Sequence, residues 1–225
     1  TDSDSDADTD TDSDTDTDTD TGDSAVDTAP DDTGPAWTHT ITVDGDASDW
    51  TIDEAFPNTG GASYLTWDDE ALYVAVTHPA VVSNDSATWL VLYLKGDMPG
   101  NSTGVTFNTQ QPQLSFNPSH MLQWRSDGGF DSLNSVVGTT WISNSFWLGT
   151  DDSEVAEDEA RATVEFKIPL SAVGPKSFTM QASWVFEGSG FESTYSGLPA
   201  GSIQDGYDPD FSAALSINRR SSYAP

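Results

Sequence analysis

The sequence predicts an all-β fold, an antiparallel, jelly-roll-like β-sandwich preceded by a disordered acidic N-terminal segment. Three observations predict it. Roughly ten short runs rich in Val, Ile, Thr and aromatic residues follow one another from Trp37 onward. Asp, Gly, Asn and Pro punctuate these runs at close spacing, as turns between short strands require. No window of helical length keeps a 3.6-residue apolar period, so nothing argues for a buried helix. Short strands at turn-punctuated intervals pack as sandwiches.

Composition divides the chain in two. Residues 1–36 hold 14 of the 38 acidic residues and none of the 7 bases. Residues 37–225 hold the remaining 24 acids and all 7 bases, a net charge of −17, together with every Trp, Phe and Tyr. The first segment is an Asp alternation with Thr and Ser. It has a period of two but no apolar face, so it cannot bury enough surface to offset the entropy of ordering. It is expected to be an extended, solvated linker that ends near Pro30 and Pro35. Residues 37–225 are the size of one ordinary domain.

The expected strands come in order. Residues 37–43, W-T-H-T-I-T-V, form a first strand ending in the turn Asp44-Gly45-Asp46. Residues 62–67 and 71–77 flank Asp68-Asp69-Glu70 and read as a hairpin. Residues 88–95, T-W-L-V-L-Y-L-K, are apolar at successive positions, as in a strand covered on both faces. Runs 120–125 and 135–142 follow, then 162–169, where Val164, Phe166 and Ile168 alternate with Glu165 and Lys167. Residues 177–186 alternate likewise, and 211–217 close the domain. The acidic stretch 151–160 comes nearest to a helix.

Charge and composition exclude several functions. A net charge of −31 with no basic stripe opposes nucleic acid and anionic lipid surfaces. The longest apolar run, 89–94, is far below a membrane span. No cysteine is present, so no thiol nucleophile is available. His39, His78 and His120 show no zinc spacing, and no nucleophile elbow or phosphate loop occurs. A non-catalytic protein is therefore expected. The chain begins at Thr1, from which an upstream segment, such as a signal peptide, is expected to have been removed.

Two chemistries remain. Asp44 and Asp46 in one turn, Asp97 after a central strand, and Asp205 and Asp208 in D-G-Y-D-P-D are oxygen ligands clustered in loops, as Ca²⁺ uses. The competing reading is that Asp initiates and caps turns. Trp141 and Trp147 flank the polar, loop-like I-S-N-S-F, while Tyr195 and Tyr207 sit among Gly, Ser and Pro. Rings on loops, with Arg125 as a further candidate contact, suit a sugar, whose C–H face stacks on an aromatic while its hydroxyls bond to polar side chains. The competing reading is that these rings cover the sandwich ends.

Three stretches carry a resemblance. I-T-V-D-G-D-A-S-D-W (41–50), Y-L-T-W-D-D-E-A-L-Y-V-A-V (64–76) and E-A-R-A-T-V-E-F-K-I-P-L-S-A-V-G (159–174) resemble, in order and spacing, family 9 carbohydrate-binding modules and related DOMON-like domains. The resemblance implies a β-sandwich, often calcium-stabilised, attached to an extracellular protein. Its sugar-binding members clamp a terminal sugar between two Trp rings, one from the loop before the central strand. Here residues 82–88 contain no Trp, and the loop residues expected to supply the second ring after Trp184 offer only Phe191, Tyr195 and Tyr207. The Asp/Thr/Ser tract resembles the tethers of bacterial surface lipoproteins, which implies a lipid anchor upstream of Thr1 and an envelope location. The expected function is an extracytoplasmic, carbohydrate-binding-like module on an acidic stalk, with a polysaccharide or glycan as partner. The alternative is a structural or adhesive surface domain without sugar binding.

Overall fold

In a computed structural model, the described residues are 39–58, 60–96, 98–100, 113–174, 177–188, 191–199, 203–204, 210–211 and 214–218. The acidic segment 1–36 lies outside them. The strands run β1 (Ala55–Asn58), β2 (Gly61–Trp67), β3 (Ala71–Thr77), β4 (Thr88–Lys95), β5 (Gln113–Leu114), β6 (His120–Arg125), β7 (Asp131–Val137), β8 (Thr140–Ser145), β9 (Glu154–Asp158) and β10 (Thr163–Pro169). A one-turn helix, α1 (Leu170–Val173), follows, then β11 (Ser177–Gly188), β12 (Phe191–Leu198), β13 (Ile203–Gln204), β14 (Asp210–Phe211) and β15 (Leu215–Asn218).

These strands build two antiparallel sheets, as the sequence predicts. One has the order β1-β2-β3-β10-β9, the other β12-β11-β4-β6-β7-β8, with β15 also on β11. A small third sheet, β13-β14-β5, joins β14 to β5 in parallel. The alternation in each strand decides what enters the core. Leu72, Val74 and Val76 of β3 and Val164, Phe166 and Ile168 of β10 meet Leu90, Leu92, Leu94, Leu122, Trp124, Met180 and Trp184 of the facing sheet. Trp124 touches Phe166 across the layers, edge to face at 5.9 Å, and Trp184 beside it at 6.3 Å. Each such side chain, fully buried, contributes roughly 1.5–3 kcal/mol.

The outer face of the five-stranded sheet is covered by residues 39–54, which carry Ile41 and Trp50 onto Ala71, Tyr73 and Ala75. Glu165 fastens this cover. It points to the outer face by alternation, yet it is fully buried. Its carboxylate accepts from the backbone N–H of Asp44 at 3.0 Å and Gly45 at 2.8 Å, and from Trp50 Nε1 at 2.7 Å. Gly45 is needed there for two reasons. Its φ is +84°, and a Cβ would lie 2.8 Å from the Glu157–Asp158 peptide. Asp68 plays the parallel role in the hairpin. It accepts from the N–H of Glu70 and Ala71 and from the hydroxyls of Thr40 and Tyr73. Burial alone would raise its carboxyl, but these donors outweigh it and hold the group below the usual range.

Several expectations are corrected. Residues 39–43 are not a strand; they run irregularly over the sheet, with His39 N–H bonded to the Trp67 carbonyl. Residues 135–142 are not one strand but the turn of the β7–β8 hairpin, with Gly138 at φ +65°. The acidic stretch near 151–160 contains the edge strand β9 rather than a helix. Within 211–217, the described strands are β14 and the start of β15.

Candidate functional site

β4 is apolar on both faces because both are covered. Leu90, Leu92 and Leu94 enter the core, while Val91 and Tyr93 join Met121 and Val185 in a second cluster on the outer face of the β4 sheet. Trp89, Trp141, Leu114 and Phe116 pack against that cluster. This outer face is the candidate site.

Strand register lays it out as rows. At one end, Val185 lies opposite Trp89, and Trp89 opposite Arg125. Arg125 N–H bonds to the Phe130 carbonyl, which brings Phe130 into the same row. Trp89 meets Phe130 edge-on at 5.5 Å, and Phe130 meets Phe146 at 5.5 Å. The Arg125 guanidinium lies 5.6 Å from the Trp89 ring centre. Arg125 Nε also donates to Asp127 at 2.6 Å, and this bond holds the Asp127 carboxyl below the usual range. The charge of Arg125 is thus met, and the row is electrically neutral.

Phe146 is the unusual member. It is 62 % exposed, and its φ is +56°. A left-handed backbone at a bulky residue costs on the order of 1–2 kcal/mol. The conformation is held by Phe146 N–H on the Asp131 carbonyl at 2.7 Å, and by Leu148 N–H on the Asp131 carboxylate at 2.7 Å. It brings the ring against Phe130, at a cost that its exposed position does not recover through burial.

Two polar rows follow, Ser183-Val91-Gln123-Ser132-Ser145 and Gln181-Tyr93-Met121-Asn134-Ser143. Gln123 Oε1 accepts from Ser132 Oγ at 2.9 Å and Asn134 Nδ2 at 3.3 Å. Ser143 and Ser145 are exposed, while Gln181 Oε1, Ser183 Oγ and Trp141 Nε1 are buried with no hydrogen-bond partner among the described residues. Beyond these rows, Val136 lies opposite Trp141. Trp141 lies near one end of β8, and Phe146 follows its other end. Ser132, Asn134, Gln181 and Ser183 are buried, so the polar surface of these rows is Gln123, Ser143 and Ser145. An amide and two hydroxyls with rings at either end suit a neutral, polyhydroxylated ligand.

Of the residues singled out from sequence, Trp141 and Arg125 come together on this face. Trp147 does not. It is 2 % exposed and packs in the main core, so the ring expected on a loop for a ligand closes the sandwich instead. The segment it flanks is strand β8 rather than a loop, and Tyr195 lies in strand β12. Tyr207, Asp97, Asp205 and Asp208 lie outside the described residues. Asp44 accepts from the Asp46 N–H at 2.8 Å; Asp46 accepts from the Ser48 N–H at 3.1 Å and pairs with Arg161 at 3.1 Å. Both act as turn acceptors. Among the described residues no three His, Cys, Asp or Glu side chains converge as a metal site.

The sequence reading did not single out Trp89, Phe130, Phe146, Gln123, Ser132 or Asn134. The only signal was the Gly-Gly before Phe130, which marks a turn that presents the next residue. The histidines are built into the fold. His39 bonds to Glu54 at 3.1 Å, His78 stacks on Trp184 at 5.3 Å, and His120 Nδ1 lies 2.9 Å from Ser119 Oγ. Elsewhere, a cleft of about 850 Å³ opens between Asp69, Glu70, Asp152, Lys167 and Leu170, and holds none of the expected site residues.

No family model, curated protein or solved structure matches the chain.

Proposed function

We propose that this chain is a non-catalytic, carbohydrate-binding module of the family 9 or DOMON-like kind, carried outside the cytoplasm on its acidic segment behind a lipid anchor. The observation that carries this reading is the neutral row of Trp89, Phe130 and Phe146 beside an amide and hydroxyl floor. Exposed Phe146 is strained and gains little from burial, which is the behaviour of a binding residue rather than a folding one.

Affinity electrophoresis through neutral and anionic polysaccharides, with and without Ca²⁺, tests it. Retardation is expected in at least one neutral gel, with about three- to tenfold weaker binding after Phe146→Ala or Trp141→Ala, the loss of one stacking ring. No retardation in any gel rejects the reading. A second reading, an adhesive or structural surface domain that binds no sugar, is favoured by Trp147, whose buried ring closes the sandwich where an open loop site was expected.

A further inference from the structure

A buried polar atom without a partner has lost its hydration and gained no bond in exchange, and native proteins keep few of them without a use. The outer face of the β4 sheet holds two on one strand. Gln181 and Ser183 of β11 are 0 % and 1 % exposed, and neither Gln181 Oε1 nor Ser183 Oγ has a hydrogen-bond partner among the described residues. Strand register puts Gln181 opposite Tyr93 and Ser183 opposite Val91, so both share the face of the cluster Val91, Tyr93, Met121 and Val185. The nitrogen end of the Gln181 amide donates to the Ala182 carbonyl at 2.8 Å, which leaves the oxygen end over. Among the described residues, Leu114 and Phe116 pack on this cluster, with Trp89 and Trp141. The side chains of Leu114 and Phe116 can bond to neither an acceptor nor a hydroxyl, so cover and floor are mismatched.

The segment that carries Leu114 and Phe116 is lightly held. Its strand, β5, is two residues long and pairs with β14, also two residues long, at two positions. Gln113, Ser115 and Asn117 are exposed, and Leu114 and Phe116 are only half-buried. We propose that the ligand site extends beneath residues 114–116: Gln181 and Ser183 are ligand-binding residues, and Leu114 and Phe116 form a strap that covers them until a ligand enters. This rests on the sugar-binding reading above and adds to it a row of buried contacts and a gate. A ligand hydroxyl donates to Gln181 Oε1, and Ser183 Oγ donates to or accepts from another. An amide oxygen has nothing to offer a carboxylate, so the ligand is a neutral polyol rather than an acidic sugar. Closure keeps the apolar cluster dry, whereas opening gives the two polar atoms partners. These opposed terms are what allow a ligand to shift the strap.

Affinity electrophoresis of the full chain through gels of dextran, soluble starch and galactomannan tests the proposal, beside hydrogen exchange without ligand. When closure competes with binding, the apparent affinity is the intrinsic one scaled by the open fraction. Phe116→Ala and, separately, Leu114→Ala are therefore expected to keep the circular dichroism spectrum and to bind at least about threefold tighter than the parent. Ser183→Ala separates a ligand contact from a structural one. It is expected to bind at least about threefold more weakly while its urea midpoint stays or rises, because an orphaned hydroxyl is removed. A lower midpoint with unchanged binding would mean that an ordered water ties this hydroxyl into the fold, and would overturn its role. In exchange, the amides of residues 114–116 are expected to be at least about tenfold faster than those of β4. Retardation of the parent with neither strap variant binding tighter, or exchange as slow as in β4, overturns the strap and leaves the sugar-binding reading standing. No retardation of the parent or of either strap variant overturns both.

Discussion

Glu165 shows how much one side chain can hold. Its carboxylate takes three donors from a segment about 120 residues earlier in the chain, and among the described residues it forms no salt bridge. Glu165→Gln replaces one acceptor oxygen with a donor that faces other donors. It should destabilise the domain by about 2–4 kcal/mol, the range for a broken buried charged network, measured by urea unfolding. His120 sets a pH dependence. Burial, and then the nearby charge of Lys95, bring its imidazole down to about 4. The unfolded chain binds that proton more readily, near pH 6.5. Stability from this group is therefore complete above pH 6.5 and declines as pH falls towards 4. The expected loss is about 3 kcal/mol at most. Denaturation midpoints across that window check this, and a His120→Asn variant should flatten it. Neither role was legible in the sequence. Alternation assigned Glu165 to the outer face correctly, but a period of two says only which face a residue takes, not what covers that face.

At the scale of elements, the strands that the sequence marks best are those whose two faces differ or are both buried. The runs 71–77 and 120–125 match β3 and β6, and 88–95 matches β4 residue for residue. Strands at the margins were the ones missed. β9 lies at an edge, so neither face imposes an apolar period and its acids resemble a polar helix. The run 135–142 was read through its own turn, because V-V-G-T-T-W offers β-branched and aromatic residues on both sides and only Gly138 as a break. β8 itself looked like a loop for the same reason, since all of its residues but Trp141 are exposed and no apolar alternation marks it. The candidate site was half legible. Trp141 and Arg125 stood out by residue type, whereas Phe130 and Phe146 reach their row only through a hairpin and a left-handed turn.

For the whole molecule, the division into an acidic tract and an aromatic-rich body was the plainest signal, because it rests on composition alone. The order of strands was beyond reach. β4 crosses from one sheet to the other, and β9 and β10 return, which periodicity does not encode. The acidic tract is almost free of apolar residues before Ala25 and Val26, so its sequence offers little to bury. Deleting residues 1–30 should therefore leave the thermal midpoint within the scatter of measurement at moderate salt. A large drop would show that the tract supports the fold. At low salt a slight rise is expected instead, since 12 negative charges are removed.

The Glu165 clasp also has a consequence for how the chain is made. The segment 39–54 leaves the ribosome early, but the carboxylate that fastens it emerges more than a hundred residues later. Until then, Ile41 and Trp50 have no finished sheet to cover, because β10 pairs directly with β3 beneath them. The cover can close only after most of the domain has been synthesised, which makes it a late, long-range step in folding. The motif that opens the domain in sequence is thus among the last parts of it to settle.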